Sequence, residues 1–536
     1  MPSPLTTIST KLHTAGTLIG AGIVRPMRPD KIVRTGLLMA RWGPTAAAGY
    51  AAAAMIHPDR TAMIDELGAL TFAEVHERTN ALAHAFSDAG VGEGDGVAIL
   101  CRNHRGFLEA TIACSKLGAT ALYLNTSFAG PQIADVCERE QPVALVFDEE
   151  FAGLVGNSAK GRTSFVAWRE SDDPGTDDSL EHLIEVGDTS PVVPPAEPGK
   201  AVILTSGTTG TPKGASRAQP KSLDPAAALL SMIPLHARET TMIACPLFHS
   251  WGFAHFTLGL ALGSTVVLRR RFDPEQTLAA TAEHRATALI VVPVMLQRIL
   301  ELDEEVRNRY DLRGLRVIAV SGSQLPGALA TAAMDAFGDT VYNLYGSTEV
   351  AWATIATPED MRAAPGTAGR PPRGTIVKIY DDDGRELPAE QTGRIFVGNE
   401  MLFEGYTGGG SKDEINGLMA TGDVGHFDRG GRLHVDGRDD EMIVSGGENV
   451  FPQEVEQSLA EHPAIAEAAV IGVEDEKFGQ RLKAFVVACK GTQVEESELK
   501  RHVKDNLANF KVPREFVFMD ELPRNPTGKV LKRELK

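Results

Sequence analysis

The sequence predicts an α/β protein: a large N-terminal domain of layered α/β subdomains that includes a β-rich subdomain, followed by a small α+β C-terminal domain. Three observations predict it. Short apolar runs alternate with amphipathic helical patterns from about residue 70 to residue 345. From residue 375 the pattern changes to short strands separated by Gly and Asp turns. After residue 438 helix and strand patterns mix again. The expected units are a basic extension over 1–45, a large domain over 46–438 and a small one over 439–536, because a chain of 536 residues is too long for one ordinary core.

The elements follow in order. AEVHERTNALAHAFSDAG (73–90) and RGFLEATIACSKLG (105–118) read as helices, with GVAILC (96–101) and ATALYLN (119–125) as strands between and after them. Residues 170–198, acidic and proline-rich, read as a connector. GSTVVLRRRF (263–272) is a strand, after which Asp273-Pro274-Glu275 opens a helix with Asp as N-cap and Pro in the first turn. ATALIVVP, LRVIAVSGSQLP and TVYNLYGSTE read as further strands, the last two ending in turns rich in glycine, hydroxyl and carboxylate groups. Ligands of open α/β sheets sit at such carboxyl ends. TIVKIYDDDGRELP (375–388) reads as a hairpin around Asp383-Gly384, GRIFVGN and GRLHVDG as short strands, and a helix is expected from about Pro452.

Composition bounds the function. A net charge of -18 argues against nucleic acid as a partner. The cysteines Cys101, Cys114, Cys137, Cys245 and Cys489 form no C-x-x-C pair, so neither a disulfide framework nor a zinc site is indicated and a reducing, cytoplasmic compartment is expected. Residues 1–45 differ from the rest: Lys11, Arg25, Arg28, Lys31, Arg34 and Arg41 stand against one acid, Asp30. GTLIGAGIV is too short to span a bilayer and lacks a cleavage site. PDKIVRTGLLMARW can form an amphipathic helix with Ile32, Val33, Leu37, Met39 and Trp42 sharing much of one side. Two readings stand: a helix packed on the main body, or a basic arm resting on an anionic membrane surface.

TSGTTGTPKG (205–214) follows the apolar run KAVIL. Gly207, Gly210 and Gly214 let backbone amides converge on an anion, Ser206, Thr208 and Thr209 add hydroxyl donors, and Lys213 adds a positive charge. This is not a Walker A loop, because Pro212 precedes the lysine and a glycine follows it. On the residues alone, a phosphate loop and a plain glycine-threonine surface loop stay open.

Read together, TSGTTGTPKG (205–214), YNLYGSTE (342–349), TGD (421–423), GRDDEMIVSGGENVFPQEVE (437–456) and NPTGK (525–529) occur in an order that resembles the adenylate-forming superfamily, and most of all a bacterial fatty acyl-CoA synthetase. The resemblance covers roughly residues 50–536. It implies activation of a carboxylic acid with ATP and Mg2+, transfer to CoA, and a C-terminal domain that rotates between the two steps. Thr205, Ser206, Gly207, Thr208, Thr209, Gly210 and Lys213 would hold the β- and γ-phosphates, and Glu349 the magnesium. Thr348 would meet the α-phosphate; Gly322, Ser323, Tyr345, Gly346 and Ser347 belong to the ATP pocket. Asp423 would accept from the ribose hydroxyls with Arg438 beside it, Lys529 would serve the first half-reaction, and Asp440 would be the hinge. Gly446 and Gly447 would line the path of CoA, and His249 and Phe253 the acid, His249 also bordering the pantetheine channel and counted with Lys529, Thr348 and Glu349 as a candidate catalytic residue. Arg394 and Met419 depart from the family pattern, at positions that concern local packing.

The expected acid is a medium- or long-chain fatty acid, with HSWGFAHFTLGLALG and IVVPVMLQRIL contributing apolar walls and no aspartate to grip an amine. The alternatives are a fatty acyl-AMP ligase that loads a carrier protein, a synthetase for another acid such as an aryl acid, and a binding protein that keeps the fold without catalysis. Oligomeric state is not legible.

Overall fold

The structure, a computed structural model, describes residues 4–26, 28–170, 178–205, 213–217, 222–407, 409–445, 448–475, 479–525 and 528–535. Contacts divide the chain into two units, one of residues 1–291, 301–319 and 400–411, the other of residues 292–300, 320–399 and 412–536.

In the first unit a seven-stranded sheet runs in the order Gly405–Tyr406, Lys213–Arg217, Ala201–Thr205, Thr120–Tyr123, Gly96–Leu100, Ala144–Asp148, Thr163–Trp168. The five strands from Ala201–Thr205 onward are parallel, and the first two are antiparallel additions at one edge. Val97, Ala98, Ile99 and Leu100 are all buried, which is what a parallel strand covered by helices on both faces requires. The helix Phe72–Asp88 starts where the sequence provides a capping box: the Glu74 amide donates to Thr71 Oγ1 at 3.2 Å and the Thr71 amide to Glu74 Oε2 at 2.7 Å. A second sheet of the unit orders Val317–Val320, Ala288–Val291, Thr240–Ile243, Thr265–Leu268, Thr61–Asp65 and Gly68–Thr71. The helix Pro274–Glu283 is N-capped by Asp273, which accepts from the Gln276 amide. Within the acidic connector a short helix, Leu180–Val186, forms under an Ser179 cap.

Three helices lead the unit: α1 (Pro4–Gly20), α2 (Pro29–Trp42) and α3 (Ala46–Ile56). α3 is buried over much of its alanine-rich surface, whereas α2 buries no residue completely. Ile32, Val33, Leu37 and Met39 are exposed, while Lys31, Thr35, Leu38 and Trp42 are half-buried. Trp42 therefore lies apart from the apolar side on which the sequence reading placed it. No described helix is long and apolar enough to cross a membrane.

The second unit contains the β-rich subdomain and the C-terminal α+β part. Ile376–Tyr380, Gly393–Gly398, Leu418–Phe427 and Glu414–Ile415 form a sheet in that order, with Leu433–Arg438 also paired to Leu418–Phe427. The turn at Asp383-Gly384 forms, but its return arm contributes only the bridge between Tyr380 and Glu386; Ile376–Tyr380 pairs instead with Gly393–Gly398. Farther on, Gly479–Ala488 pairs with Ile465–Asp475 and Glu515–Phe518. Helices Pro452–Ala460 and Glu496–Asn506 cover the sheet through Val455, Leu459, Leu499 and Val503, all fully buried.

One buried cation stands out. Lys116, 1% exposed, donates to Asn80 Oδ1 at 2.6 Å, to Thr79 Oγ1 at 2.8 Å and to the His76 carbonyl at 2.9 Å, with no carboxylate among its partners. Burial pushes its pKa down to about 7. Between pH 7 and the ordinary lysine value of 10.5 the unfolded chain then binds the proton that the folded chain has released, so stability rises with pH across that window. Lys116→Met should remove that rise, a difference approaching about 1.4 kcal/mol per pH unit. Urea unfolding of both proteins at several pH values inside the window checks it; parallel pH profiles would mean that Lys116 keeps its proton when folded.

Candidate active site

In the second unit the strand Val341–Tyr345 ends in a loop that returns through Thr354–Ala356 as its antiparallel partner. The loop doubles back tightly. A Cβ on Gly346 would lie 2.3 Å from the Ala351 carbonyl oxygen, so only glycine fits there. Ala351 itself takes a positive φ of 62°, rare for a residue with a side chain. Ser347 Oγ accepts from the amides of Glu349 and Val350, and Asn399 donates to the carbonyls of Val350 and Trp352 at 2.8 and 2.9 Å. Ser347, Thr348 and Glu349 are half-buried on this turn. Its side chains offer hydroxyl and carboxylate oxygens only, a donor set that fits a hard cation such as Mg2+ beside phosphates.

At the base of the same loop Tyr345 meets the TGD motif. The Tyr345 hydroxyl donates to Asp423 Oδ2 at 2.6 Å, and Arg438 Nη1 lies 3.3 Å from Asp423 Oδ1. The register explains the second contact, because Asp423 and Arg438 are directly paired across neighbouring strands. The Asp423 amide donates to Thr421 Oγ1 at 3.1 Å. With a side chain only 14% exposed, Asp423 is raised above the usual carboxylate range by burial, against the opposing pull of Arg438, the Tyr345 hydroxyl and Lys529. Burial and the neighbouring carboxylate push the Tyr345 phenol well up, which keeps it a donor. Gly422, at φ 86°, leaves room beside it: a Cβ there would sit 3.4 Å from both Arg438 Nη2 and Lys412 Nζ.

Lys529 thus acts electrostatically on a carboxylate 106 positions away in sequence. Its loop is built for this. The Asn525 amide donates to the Lys529 carbonyl and the Lys529 amide to Asn525 Oδ1, both at 2.9 Å, and a bridge joins Arg524 to Val530. Gly528 has φ 81° and rests against Val294, where a Cβ would come within 2.3 Å of Cγ1. Gly322, at φ 97°, leans on the neighbouring Val292, 3.3 Å from the place of its missing Cβ. Val292 and Val294 therefore form one platform under two glycine turns, those of Gly322-Ser323 and Gly528-Lys529. Sequence reading gave this segment to the acid-binding wall and missed the platform. It also missed Lys412 and Asn399, which stand outside every motif.

In the first unit Lys213 pairs with Thr205 at the base of a hairpin, and its ammonium lies 5.1 Å over the Tyr406 ring. Gly214 packs where a Cβ would lie 2.6 Å from Thr407 Oγ1. Ser206, Gly207, Thr208, Thr209 and Gly210, like Gly446 and Gly447, lie outside the described residues, as do the side chains of Thr205 and Asp440. His249 is the half-buried N-cap residue of the helix Ser250–Leu262. The turn before it is held by Asn103, which accepts from the Leu247 amide and donates to the Cys245 carbonyl, both at 2.8 Å. Phe253 projects from that helix against Tyr123, ring centroids 4.9 Å apart, and Phe256.

The family departures are packing features. Met419 is buried, and Arg394 pairs with Asp413 at 2.7 Å and with Asp439 at 3.3 Å while covering the Phe396 ring. Among the described residues Cys101, His104 and Asp148 cluster closely enough to suggest a metal. Their lone pairs are already used: His104 Nε2 bonds Asp148 at 2.7 Å, its Nδ1 accepts from the Gly106 amide, and the other Asp148 oxygen accepts from the Arg102 amide. Burial keeps the Cys101 thiol protonated. The cluster is structural, and all five cysteines are free thiols.

Residues 50–407 match the AMP-binding enzyme family, and residues 454–529 match the AMP-binding enzyme C-terminal domain. The chain is 31% identical to a fatty acid–[acyl-carrier-protein] ligase, ScoC, of Streptomyces coeruleorubidus, over 89% of this chain and 93% of that one. It is 33% identical to an indoleacetate–CoA ligase of Aromatoleum aromaticum, over 90% and 95% respectively. Among solved structures, o-succinylbenzoate CoA synthetase of Bacillus subtilis in complex with its acyl-adenylate intermediate superposes with a TM-score of 0.79 at 29% identity, covering 91% of this chain and 97% of that one. With matches that span both the large and the small domain, the chain belongs to the AMP-binding enzyme family.

Proposed function

We propose that the protein activates a medium- or long-chain fatty acid with ATP and transfers the acyl group to CoA, yielding acyl-CoA, AMP and pyrophosphate. Adenylate-forming CoA ligases use ATP, Mg2+ and CoA. A carboxylate oxygen of the acid attacks the α-phosphorus and the bond to pyrophosphate breaks. The CoA thiol, losing its proton, then attacks the acyl carbon and the bond to AMP breaks. The observation that carries this reading is the Tyr345–Asp423–Arg438 cluster with Lys529 acting on it.

In this reading Asp423 accepts from the ribose hydroxyls, while Arg438 and Tyr345 aim its buried carboxylate and pull its pKa down against burial. Gly322, Ser323 and Tyr345 border the adenine, and Gly346 belongs to the same ATP pocket. Ser347 shapes the turn that presents Thr348 to the α-phosphate and Glu349 to magnesium, which when bound neutralises phosphate oxygens. Lys529 offsets the negative charge gathering between the acid and the α-phosphate. Thr205, Ser206, Gly207, Thr208, Thr209, Gly210 and Lys213 hold the outer phosphates. His249 and Phe253 border the acid, Gly446 and Gly447 the CoA arm, and Asp440 is the hinge between the large domain over 46–438 and the small one over 439–536.

The fatty-acid assignment rests on the apolar helix Ser250–Leu262 with its Phe253–Tyr123–Phe256 cluster, and on the absence of any charged residue but histidine from Cys245 to Gly263. Two other readings have support from the relatives: the ScoC ligase names a carrier-protein acceptor, and the indoleacetate ligase an aromatic acid. Mass spectrometry of products from a panel of fatty and aromatic acids with ATP, with and without CoA, decides among them. The expected outcome is acyl-CoA from fatty acids; adenylate that accumulates despite CoA would favour the carrier protein, and turnover of aromatic acids alone would end the fatty-acid assignment.

Glu349→Gln should depress magnesium-dependent, acid-dependent exchange of pyrophosphate into ATP by at least about a hundredfold, because an amide holds a hard cation poorly. Isotope exchange measures it, and an unchanged rate would remove Glu349 from the metal. Lys529→Ala should slow formation of acyl-AMP by about three powers of ten, roughly 4 kcal/mol in the barrier. The same variant should still convert supplied acyl-AMP and CoA into acyl-CoA. Single-turnover assays of the two half-reactions check this, and equal loss of both would place Lys529 outside the adenylation step.

A further inference from the structure

The N-terminal helices present to solvent what a soluble helix normally buries. At 3.6 residues per turn, Met39, Ile32, Val33 and Leu37 fall within roughly 160° of one another on α2. All four are exposed, Val33 at 62% and Leu37 at 53%. The protein side of the helix is instead the half-buried row Lys31, Thr35, Leu38 and Trp42. Arg34 and Arg41 are exposed along the border between the two faces. On α1, Leu12 and Ile19, two turns apart, are exposed as well, while Thr14 anchors the helix by donating to Asp224 at 2.6 Å. No other described helix carries two exposed large apolar side chains. Single exposed apolar side chains are ordinary, but a continuous face marks an interaction surface.

A cluster of cations lies at the root of this face. Arg25 bonds the His57 ring. Lys31 donates to the Ile56 carbonyl at 2.9 Å, Arg60 to the Arg238 carbonyl at 2.7 Å, and Arg238 to the Gly22 carbonyl at 3.4 Å. Burial and the charges of Arg25, Arg60, Arg238 and Lys31 hold His57 down at about 4, so it adds no charge but stays a polar contact. Arg238 is fixed in the left-handed region at φ 67°. Among the described residues none of these four cations has a carboxylate within ion-pair distance, although the chain as a whole carries a net charge of -18. Cations drawn together without counter-charge repel one another, and an arriving anion relieves that repulsion.

We infer that α1 and α2 form a peripheral docking surface for an anionic lipid bilayer. Ile32, Val33, Leu37 and Met39 enter the boundary between headgroups and acyl chains, and Arg34 and Arg41 meet the headgroup level. Arg25, Lys31, Arg60 and Arg238 take up lipid phosphate. A bilayer fits better than an apolar protein partner because Arg34 and Arg41 flank the apolar face on one side, Asp30 on that same border is already paired with Arg28 at 3.1 Å, and four cations without a carboxylate partner among the described residues lie at its root. The acidic remainder of the protein is repelled by the same surface, which fixes the orientation of the bound molecule. The inference holds whichever acid the protein activates.

Co-sedimentation of the full-length protein with phosphatidylcholine vesicles, with and without phosphatidylglycerol, tests it at ~50 and ~500 mM salt. Binding is expected on the anionic vesicles, falling at least about tenfold at the higher salt. Val33→Gln/Leu37→Gln and Arg34→Gln/Arg41→Gln change exposed side chains only, so both should fold normally by circular dichroism and each should lower binding at least about tenfold. Equal sedimentation of parent and variants overturns the proposal, as does binding indifferent to lipid charge. A parent dimer that Val33→Gln/Leu37→Gln converts to monomer, read by light scattering, also overturns it and gives the face to a second copy.

Discussion

A carboxylate removed from most of its water is the constraint around which the candidate site is arranged. Asp423 keeps its charge only if nearby groups replace the lost hydration. Three work in that direction against the larger effect of burial: the Arg438 guanidinium, the Tyr345 hydroxyl and, through its field, Lys529. They come from the end of the strand Leu433–Arg438, the end of the strand Val341–Tyr345 and a turn near residue 529. Each group that steadies the carboxylate thereby fixes one segment against the others. The same arrangement leaves Asp423 with acceptor capacity that two vicinal hydroxyls of a ligand can use.

Close packing on glycine makes this convergence rigid. Gly322 and Gly528 both hold positive φ values and both press on the Val292–Val294 platform. A side chain at Gly528 would overlap Val294, and the Lys529 loop would have to lift away. Gly346 plays the corresponding part inside the Tyr345–Thr354 loop, where the backbone returns on itself with no room for a methyl group. Position, more than chain flexibility, is what these glycines provide.

Polar groups elsewhere show how differently burial can be resolved. Cys101, His104 and Asp148 satisfy one another and close the site to any ligand. Lys116 is met by neutral groups only, so it tends to give up its proton. The cations around His57 are half-buried and left with carbonyl and imidazole partners, none of them a carboxylate. The differing geometry of these three clusters makes the first structural, the second a titrating group and the third open to an anion.

The sequence by itself determined the element types, the fold class and the family motifs. Apolar periodicity, the Thr71–Glu74 box and the Asp273-Pro274 start are local signals, and local signals are read within a few residues of one another. The motifs named Tyr345, Asp423, Arg438 and Lys529 but could not bring them together. The pairing of Asp423 with Arg438, the hold of Val292 and Val294 on two glycine turns, and the presence of Lys412 beside Gly422 depend on contacts between residues far apart in the chain. The hairpin expected at Asp383-Gly384 shows the same limit, since its turn is local but its strand found a better partner in Gly393–Gly398. On α2 the apolar side was legible in the sequence, but only the packing of Leu38 and Trp42 toward the protein decided that this side would face outward. Periodicity gives the direction of one side chain relative to the next; which direction is core is set by the rest of the molecule.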